Sequence, residues 1–209
     1  MGFRGEAFAL DAPVTVDAKG IDQEQIVPAP VWPYPGKYER RVVLSDGLEI
    51  AIRPIRPEDE PELIRFHESL SDRSVYLRYF HWMKLEQRVD HARLAHLCLI
   101  DYHQEMALLA TTDRLTSGPP EIAGIGRLVK SYTSNEAELA VIVCDHFQKH
   151  GIGAELVRQL LEFARDERIQ KITASVLREN TAMQKVFHRL GFELKDVPGD
   201  YAVTAEIML

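Results

Sequence analysis

Cysteine is scarce. Cys98 and Cys144 are the only two, each lies in an apolar run, and no CxxC pair exists. That argues against a disulfide framework and for two reduced core thiols. No run of about 18 apolar residues occurs, so no membrane span is expected. The opening "MGFRGEAFAL" lacks the apolar core of a secretory signal, and Gly2 lacks the Ser/Thr spacing of myristoylation. These absences lead to an expected cytoplasmic location. Basic charge is also short: 25 Lys and Arg face 32 Asp and Glu, for a net charge of −7. A phosphate backbone selects basic surfaces, so nucleic acid is excluded as the main partner, while a basic substrate such as a lysine suits the balance. There is no GxGxxG followed by an acid about twenty residues on, which excludes a dinucleotide fold. There is no GxxxxGK with Ser or Thr after it, which excludes a P-loop. Eight histidines show no ligand spacing; His91 and His96 are five apart, wrong for one helical face, so no metal is expected. No internal repeat is present.

What is there has clear punctuation. Residues 1–38 read as an arm, in which "VPAPVWPYPGKY" packs four prolines into twelve residues and suits an extended linker. Before it, "AFALDAPVTVDAKG" reads as a short strand. From Arg40, "RRVVLSDGLEIAIRPI" is two strand-like runs about the turn signal Asp46-Gly47. Pro57 with Glu58, Asp59 and Glu60 marks a helix start, and Leu63, Phe66, His67 and Leu70 give it one apolar face. A second helix is expected over Leu85–Leu97. Strands follow at "MALLATT", "IAGIGRLVK" and "EAELAVIVC", with "DRLTSGPPE" as a loop. Leu156, Val157, Leu160, Leu161 and Ala164 form a helical stripe, "KITASVL" is a strand, and Met183, Val186, Phe187 and Leu190 face inward on a last helix ended by Gly191. "FEL" and "YAVTAEIML" close the chain. This order predicts an α/β mixed sheet with helices on both faces.

The informative stretch is "FQKHGIGA", Phe147–Ala154, where a strand hands over to a helix. Glycine allows left-handed backbone and close approach. A helix start offers unpaired N–H groups and a positive dipole end. Together these suit a phosphate.

Gln148-Lys149-His150-Gly151-Ile152-Gly153-Ala154 matches the Gln/Arg-x-x-Gly-x-Gly/Ala pyrophosphate loop of the GNAT acyltransferases. The acid-bearing strand with Glu138 before it, "LREN" with Asn180 after it, and "FHRLGF" stand at the superfamily's spacing. The likeness covers about residues 40–209. Within the superfamily, "LSDGLEIAIRPIRPEDEPELIRFHESLSDRSVYLRYFH", "IDYHQEMALLA" and "NEAELAVIVCDHFQKHGIG" resemble the GNAT domains of Pat-type bacterial protein lysine acetyltransferases. In many of those the domain follows an NDP-forming acyl-CoA synthetase-like region, whose ATP-grasp tail "GEAFALDAPVTVD" resembles. The chain is then either a piece or a shortened relative of a larger protein, with an arm over 1–38 and a GNAT domain over 39–209.

The resemblance implies a mostly antiparallel sheet whose two central parallel strands splay to admit acetyl-CoA, with no metal. It places the pyrophosphate on the backbone from Gln148 to Ala154, with charge from Lys149 and His150. It places the pantetheine arm along Val141, Ile142 and Val143, with a backbone N–H near Val141 for the oxyanion, and Met183 and Phe187 beside the cofactor. Asn180 is either a contact to that arm or simply a helix N-cap. A lysine amine has a pKa of about 10.4, so deprotonating it at pH 7 costs about 4–5 kcal/mol. Glu138, an acid inside an apolar strand, matches the superfamily's general base; Glu136 is the alternative, nearer a polar loop. One departure stands out: many members carry a tyrosine acid where this chain has Phe187. The thiolate, with a pKa of about 8.5, then leaves unassisted or with another group's help. Tyr76, Arg78, Tyr79 and His81 border the acceptor groove in this fold, with Tyr76 and Tyr79 equally readable as core.

Three functions compete. A protein lysine acetyltransferase needs an open groove. A small-molecule N-acetyltransferase acting on an amine or amino acid needs a closed pocket with a counter-charge. A sensor module would bind acyl-CoA without turnover.

Overall fold

The computed structural model describes residues 33–112, 120–196 and 199–209. The short strand expected in "AFALDAPVTVDAKG", the start of the proline-rich segment and most of the "DRLTSGPPE" loop lie outside these residues.

Two strands open the domain, β1 (Arg40–Val43) and β2 (Glu49–Pro54). Their connection holds the expected glycine: Gly47 sits at φ 89°, donates to Leu44 O at 2.9 Å, and the Asp46 carboxylate accepts the Leu48 N–H at 3.1 Å. The Leu44 N–H donates to Leu48 O at 2.8 Å, so three residues, Ser45 to Gly47, lie inside the closing bond instead of the two that a tight Asp-Gly turn would use. After a 3-10 turn at Pro57–Asp59, α1 (Glu60–Ser69) buries Leu63, Phe66 and His67, and Leu70 is buried just beyond it.

Three helices differ from expectation. α2 (Asp72–Tyr79) is capped by Ser71, whose hydroxyl accepts the Ser74 N–H at 3.1 Å. The single helix expected over 85–97 is two, α3 (Leu85–Arg88) and α4 (His91–Cys98). Asp90 divides them, because its carboxylate accepts the Arg93 N–H at 3.1 Å and starts a new helix there.

The remaining elements fall where the sequence pattern puts them: β3 (Glu105–Thr112), β4 (Glu121–Lys130), β5 (Glu136–Val143), α5 (Ile152–Asp166), β6 (Lys171–Leu177), α6 (Thr181–Arg189), β7 (Glu193–Asp196) and β8 (Ala202–Met208). The strand order is β1-β2-β3-β4-β5-β6-β8-β7. Every neighbouring pair is antiparallel except β5 and β6.

Alternation along the strands divides the core in two. Met106, Leu108, Ala110, Leu128 and Leu139 join the α5 stripe on one face, with Phe187 of α6. Ala107, Leu109, Ile125 and Ile142 join Leu63, Phe66, Val75 and Leu94 on the other. Cys98 and Cys144 are free and buried in that second cluster.

The proline-rich segment is not all linker. Tyr38, assigned to the arm on composition, is buried; its ring meets Phe163 of α5 edge-on at 5.4 Å, and its hydroxyl donates to Asp166 at 2.9 Å. Proline content conceals an aromatic anchor of this kind.

Helix α5 lies close on the sheet because β4 offers no side chains beneath it at two positions. A Cβ at Gly126 would stand 2.9 Å from Leu160 Cδ1, and one at Gly124 would stand 3.2 Å from Ile152 Cγ2. Neither glycine has a positive φ, so the requirement is closeness alone. Gly126→Val is therefore expected to cost about 1–3 kcal/mol through overpacking, seen as a lowered urea midpoint at unchanged slope.

Candidate functional site

The site begins where β5 and β6 part. Their parallel register runs only Glu136↔Lys171, Ala137↔Ile172 and Glu138↔Thr173. Beyond it β5 stays paired with β4 as far as Gly124↔Val143, while β6 stays paired with β8 as far as Leu177↔Ala202. Two strand edges thus face each other unpaired across a widening gap. Backbone polar groups need partners, so such edges are ready to receive amide-bearing ligands.

At the mouth of the gap lies the glycine-rich loop. Lys149 adopts φ 70° and Gly151 φ 95°, and Gly151 is the N-cap of α5 with no side chain capping the helix. The N–H groups of the first turn are thereby left to the outside. A side chain at Gly153 would lie 3.5 Å from Val143 Cγ2 and 3.8 Å from Val141 Cγ1. Both are ordinary contact distances, and they place Gly153 against the free part of β5. These features fit the pyrophosphate and pantetheine of coenzyme A.

The loop's polar side chains are partly engaged by the protein itself. Gln148 donates from Nε2 to Ser74 Oγ at 3.0 Å and to Val143 O at 3.2 Å, which braces the loop on α2. Ser74 and Ser71 in turn donate to the Asp145 carboxylate, at 2.9 and 2.7 Å, and the Ser71 N–H adds a third bond at 2.9 Å. Burial acts to raise the Asp145 pKa, but these bonds outweigh it and hold the carboxyl below its ordinary value. His150 pairs through Nδ1 with Asp46 at 2.5 Å, so it ties the loop to the β1–β2 hairpin. Hydrogen bonding from His150 is the main cause that lowers the Asp46 pKa. Lys149 is exposed.

Across the gap, Asn180 caps α6, its carboxamide oxygen accepting the Met183 N–H at 3.2 Å. Met183 is half-buried. Phe187 is core: it is buried, and its ring lies 4.8 Å from that of Phe192. Helix α2 packs on both β5 and β6, on the opposite face from α5, and Arg73 reaches Glu179 at 3.4 Å to span the gap.

Glu138 stands at the last paired position of the two parallel strands and is exposed. It shares its face of β5 with Ala140 and Ile142, the face covered by α1 and α2. Glu136, the other candidate base, is paired with Lys171 at 3.4 Å.

Beside Glu138 on that face is a cavity lined by Phe66 and His67 of α1, Arg78 and Tyr79 of α2, and Arg127 and Ala140 of the central strands. Arg127 is bound to Glu105, its Nε 2.5 Å from Oε1. Arg78 and Arg93 both lie over the Tyr79 ring, at 4.9 and 5.0 Å from its centre. Burial lowers the Arg78 pKa, Tyr79 and Glu138 partly offset this, and Arg127 and Arg93 add to it. Tyr76 is stacked on Trp82 at 4.7 Å, which leaves the indole two-thirds exposed at 67%. His81 donates from Nδ1 to Tyr79 O, 2.8 Å away. Ser71, Ser74, Asp145, His67 and Arg127 were not singled out from sequence. Ser71 alone carried a signal, as a serine that caps a helix.

Comparison with known proteins agrees with this geometry. A family profile described as Acetyltransferase (GNAT) domain matches residues 49–193. Acetyltransferase PA5475 of Pseudomonas aeruginosa is 31% identical over 157 residues, 75% of this chain and 82% of that protein. Acetyltransferase Pat of Mycolicibacterium smegmatis is 29% identical over 150 residues; the match spans 72% of this chain but only 43% of Pat. The crystal structure of the GNAT domain of S. lividans PAT superposes with a TM-score of 0.73 at 29% identity, over 84% of this chain and 99% of that one. The chain belongs to the GNAT acetyltransferases, enzymes that use acetyl-CoA.

Buried His67 gives the site an acid limit. Burial first, then Arg93 and Arg88, push its pKa from 6.5 down to about 3, so the folded state holds it neutral. The unfolded chain takes up this proton more readily, and stability falls as pH drops from about 6.5 towards 3. Replacing the ring by a non-titrating side chain, His67→Gln, is expected to flatten that limb of a pH series of urea midpoints.

Proposed function

We propose that the chain transfers the acetyl group of acetyl-CoA to a lysine side chain on a protein, with Glu138 as general base. The observation that carries this reading is the position of Glu138. It sits at the vertex of the gap, on the face opposite α5, where a nucleophile entering from the α1 and α2 side would meet a thioester held along β5. Likeness to Pat of M. smegmatis and to the GNAT domain of S. lividans PAT supports the protein lysine acceptor.

In this scheme the loop from Gln148 to Ala154 holds the pyrophosphate by backbone N–H groups at the start of α5. The free edge of β5 from Val141 to Val143 aligns the pantetheine amides, and a backbone N–H near Val141 donates to the oxygen that gains charge as the amine adds. Asn180 contributes its amide NH2 to the same arm, while its oxygen stays on the helix cap. Glu138 takes the proton that the amine nitrogen must lose. The nitrogen–carbon bond forms, the carbon–sulfur bond breaks, and the electron pair departs with the CoA sulfur.

Phe187 supplies no proton to that sulfur. A thiolate whose parent pKa is about 8.5 is a tolerable leaving group at neutral pH. The exposed Trp82–Tyr76 stack offers a flat apolar surface on which a lysine stem can lie.

The test is thiol release from acetyl-CoA with and without a lysine-bearing acyl-CoA synthetase. Release is expected to depend on the acceptor, and Glu138→Gln is expected to lower kcat about 10²–10⁴-fold while acetyl-CoA still binds. Acceptor-dependent release that survives Glu138→Gln at full rate would remove the glutamate from this role.

A further inference from the structure

The cavity on the α1–α2 face is built for more than packing. His67 is 1% exposed, and neither ring nitrogen has a hydrogen-bond partner among the described residues. A buried polar nitrogen left without a partner is destabilising, so such a ring is poised to accept one. Arg78 borders the same space, and no carboxylate among the described residues forms an ion pair with it. Arg127 borders it too, its charge shared with Glu105. Behind them Arg93 keeps Nε and Nη1 buried without hydrogen-bond partners among the described residues. The surrounding wall is apolar: Ile55, Leu63, Ile125 and Ile142.

Two guanidinium groups and a neutral imidazole around an apolar chamber is a donor-rich, acceptor-poor set. Guanidinium groups match a planar two-oxygen anion in geometry as well as charge. The cavity opens to solvent on one side, and its roughly 360 Å³ of empty space includes that open part. Its position ties it to the reaction. Arg127 pairs across the sheet with Ala140, and Val129 with Glu138, so cavity wall and candidate base are successive rows on one face of β4 and β5.

We propose that this cavity is a carboxylate-binding site for one of the two reactants. The anion is either the free carboxylate of a dicarboxylic acyl group carried by CoA or the carboxylate of an amino-acid-like acceptor. The inference rests on the chain being a CoA-dependent acyltransferase and is independent of a protein lysine as acceptor. His67 donates one N–H to the anion, Arg78 supplies its unpaired charge, and Arg127 divides its donors between Glu105 and the ligand.

Two ratios measured on the full chain test it. The first is the Kd of acetyl-CoA over that of succinyl-CoA by calorimetry. The second is thiol release from acetyl-CoA with glycine or glutamate over that with the corresponding amides. At least one ratio is expected to reach about tenfold, and Arg78→Leu is expected to bring it within about twofold of unity. A high first ratio assigns the anion to the acyl group, a high second ratio to the acceptor. Should CoA thioesters bind while both wild-type ratios stay within about twofold of unity, the carboxylate site is overturned. A preference that persists in a folded Arg78→Leu variant overturns it likewise; if that variant does not fold, the wild-type ratios decide alone. Failure of the underlying reading has a different signature, in that neither CoA thioester binds at all.

Discussion

The structure depends on one interruption of hydrogen bonding. β5 and β6 hold each other for three residue pairs and then separate, while each keeps its outer neighbour. A sheet normally pairs its inner strands throughout, because an unpaired backbone group excluded from water is costly. Here the cost is localised in a slot flanked by a helix on either face, and a ligand with its own amides can remove it. The glycine loop at the mouth and the acid at the vertex acquire their meaning from that slot. Without the splay they would be an ordinary helix cap and an ordinary edge glutamate.

The two faces of the slot have different electrostatics. On the α5 side the donors are backbone groups, and the side chains near them are engaged in holding the loop: Gln148 on Ser74, His150 on Asp46, Asp145 on the serines of α2. On the α1–α2 side the charge is carried by side chains, with Glu138 near the cations Arg78 and Arg127. A rigid dipolar cradle and a charged chamber are thus separated by the thickness of one sheet. That division suits a reaction in which one reactant is held fixed and the other is selected.

Much of this was legible in the sequence, and the limits have physical causes. Strands β3 to β6 and helix α5 are marked by long apolar runs and by a clean helical stripe, signals that survive tertiary context. The glycine loop was legible because Gly151 answers to a left-handed backbone, φ 95°, at the start of a helix. The split between α3 and α4 was missed because a cap competes with apolar periodicity only through one side-chain bond, at Asp90. Tyr38 was missed because a proline-rich neighbourhood hides a single buried ring. His67 was read as part of an apolar face, and so it is; that its nitrogens would open on a chamber shared with Arg78 depends on helices that meet only in three dimensions. The same holds for the Ser71–Asp145 bonds, which join residues 74 positions apart. Phe187, expected beside the cofactor from its spacing, is a buried ring packed on Phe192, and its burial comes from helix packing that spacing alone does not show.

Gly124 and Gly126 lie on β4, away from the loop, yet they set how deep α5 can settle. The first turn of that helix carries the proposed phosphate cradle, and β5, joined to β4 along its length, carries the candidate base. Two missing side chains therefore act as a spacer between the anchor of a long flexible substrate and the place where its far end must react. In such an arrangement reach is calibrated from underneath, and the calibration can drift without any residue that touches substrate being replaced.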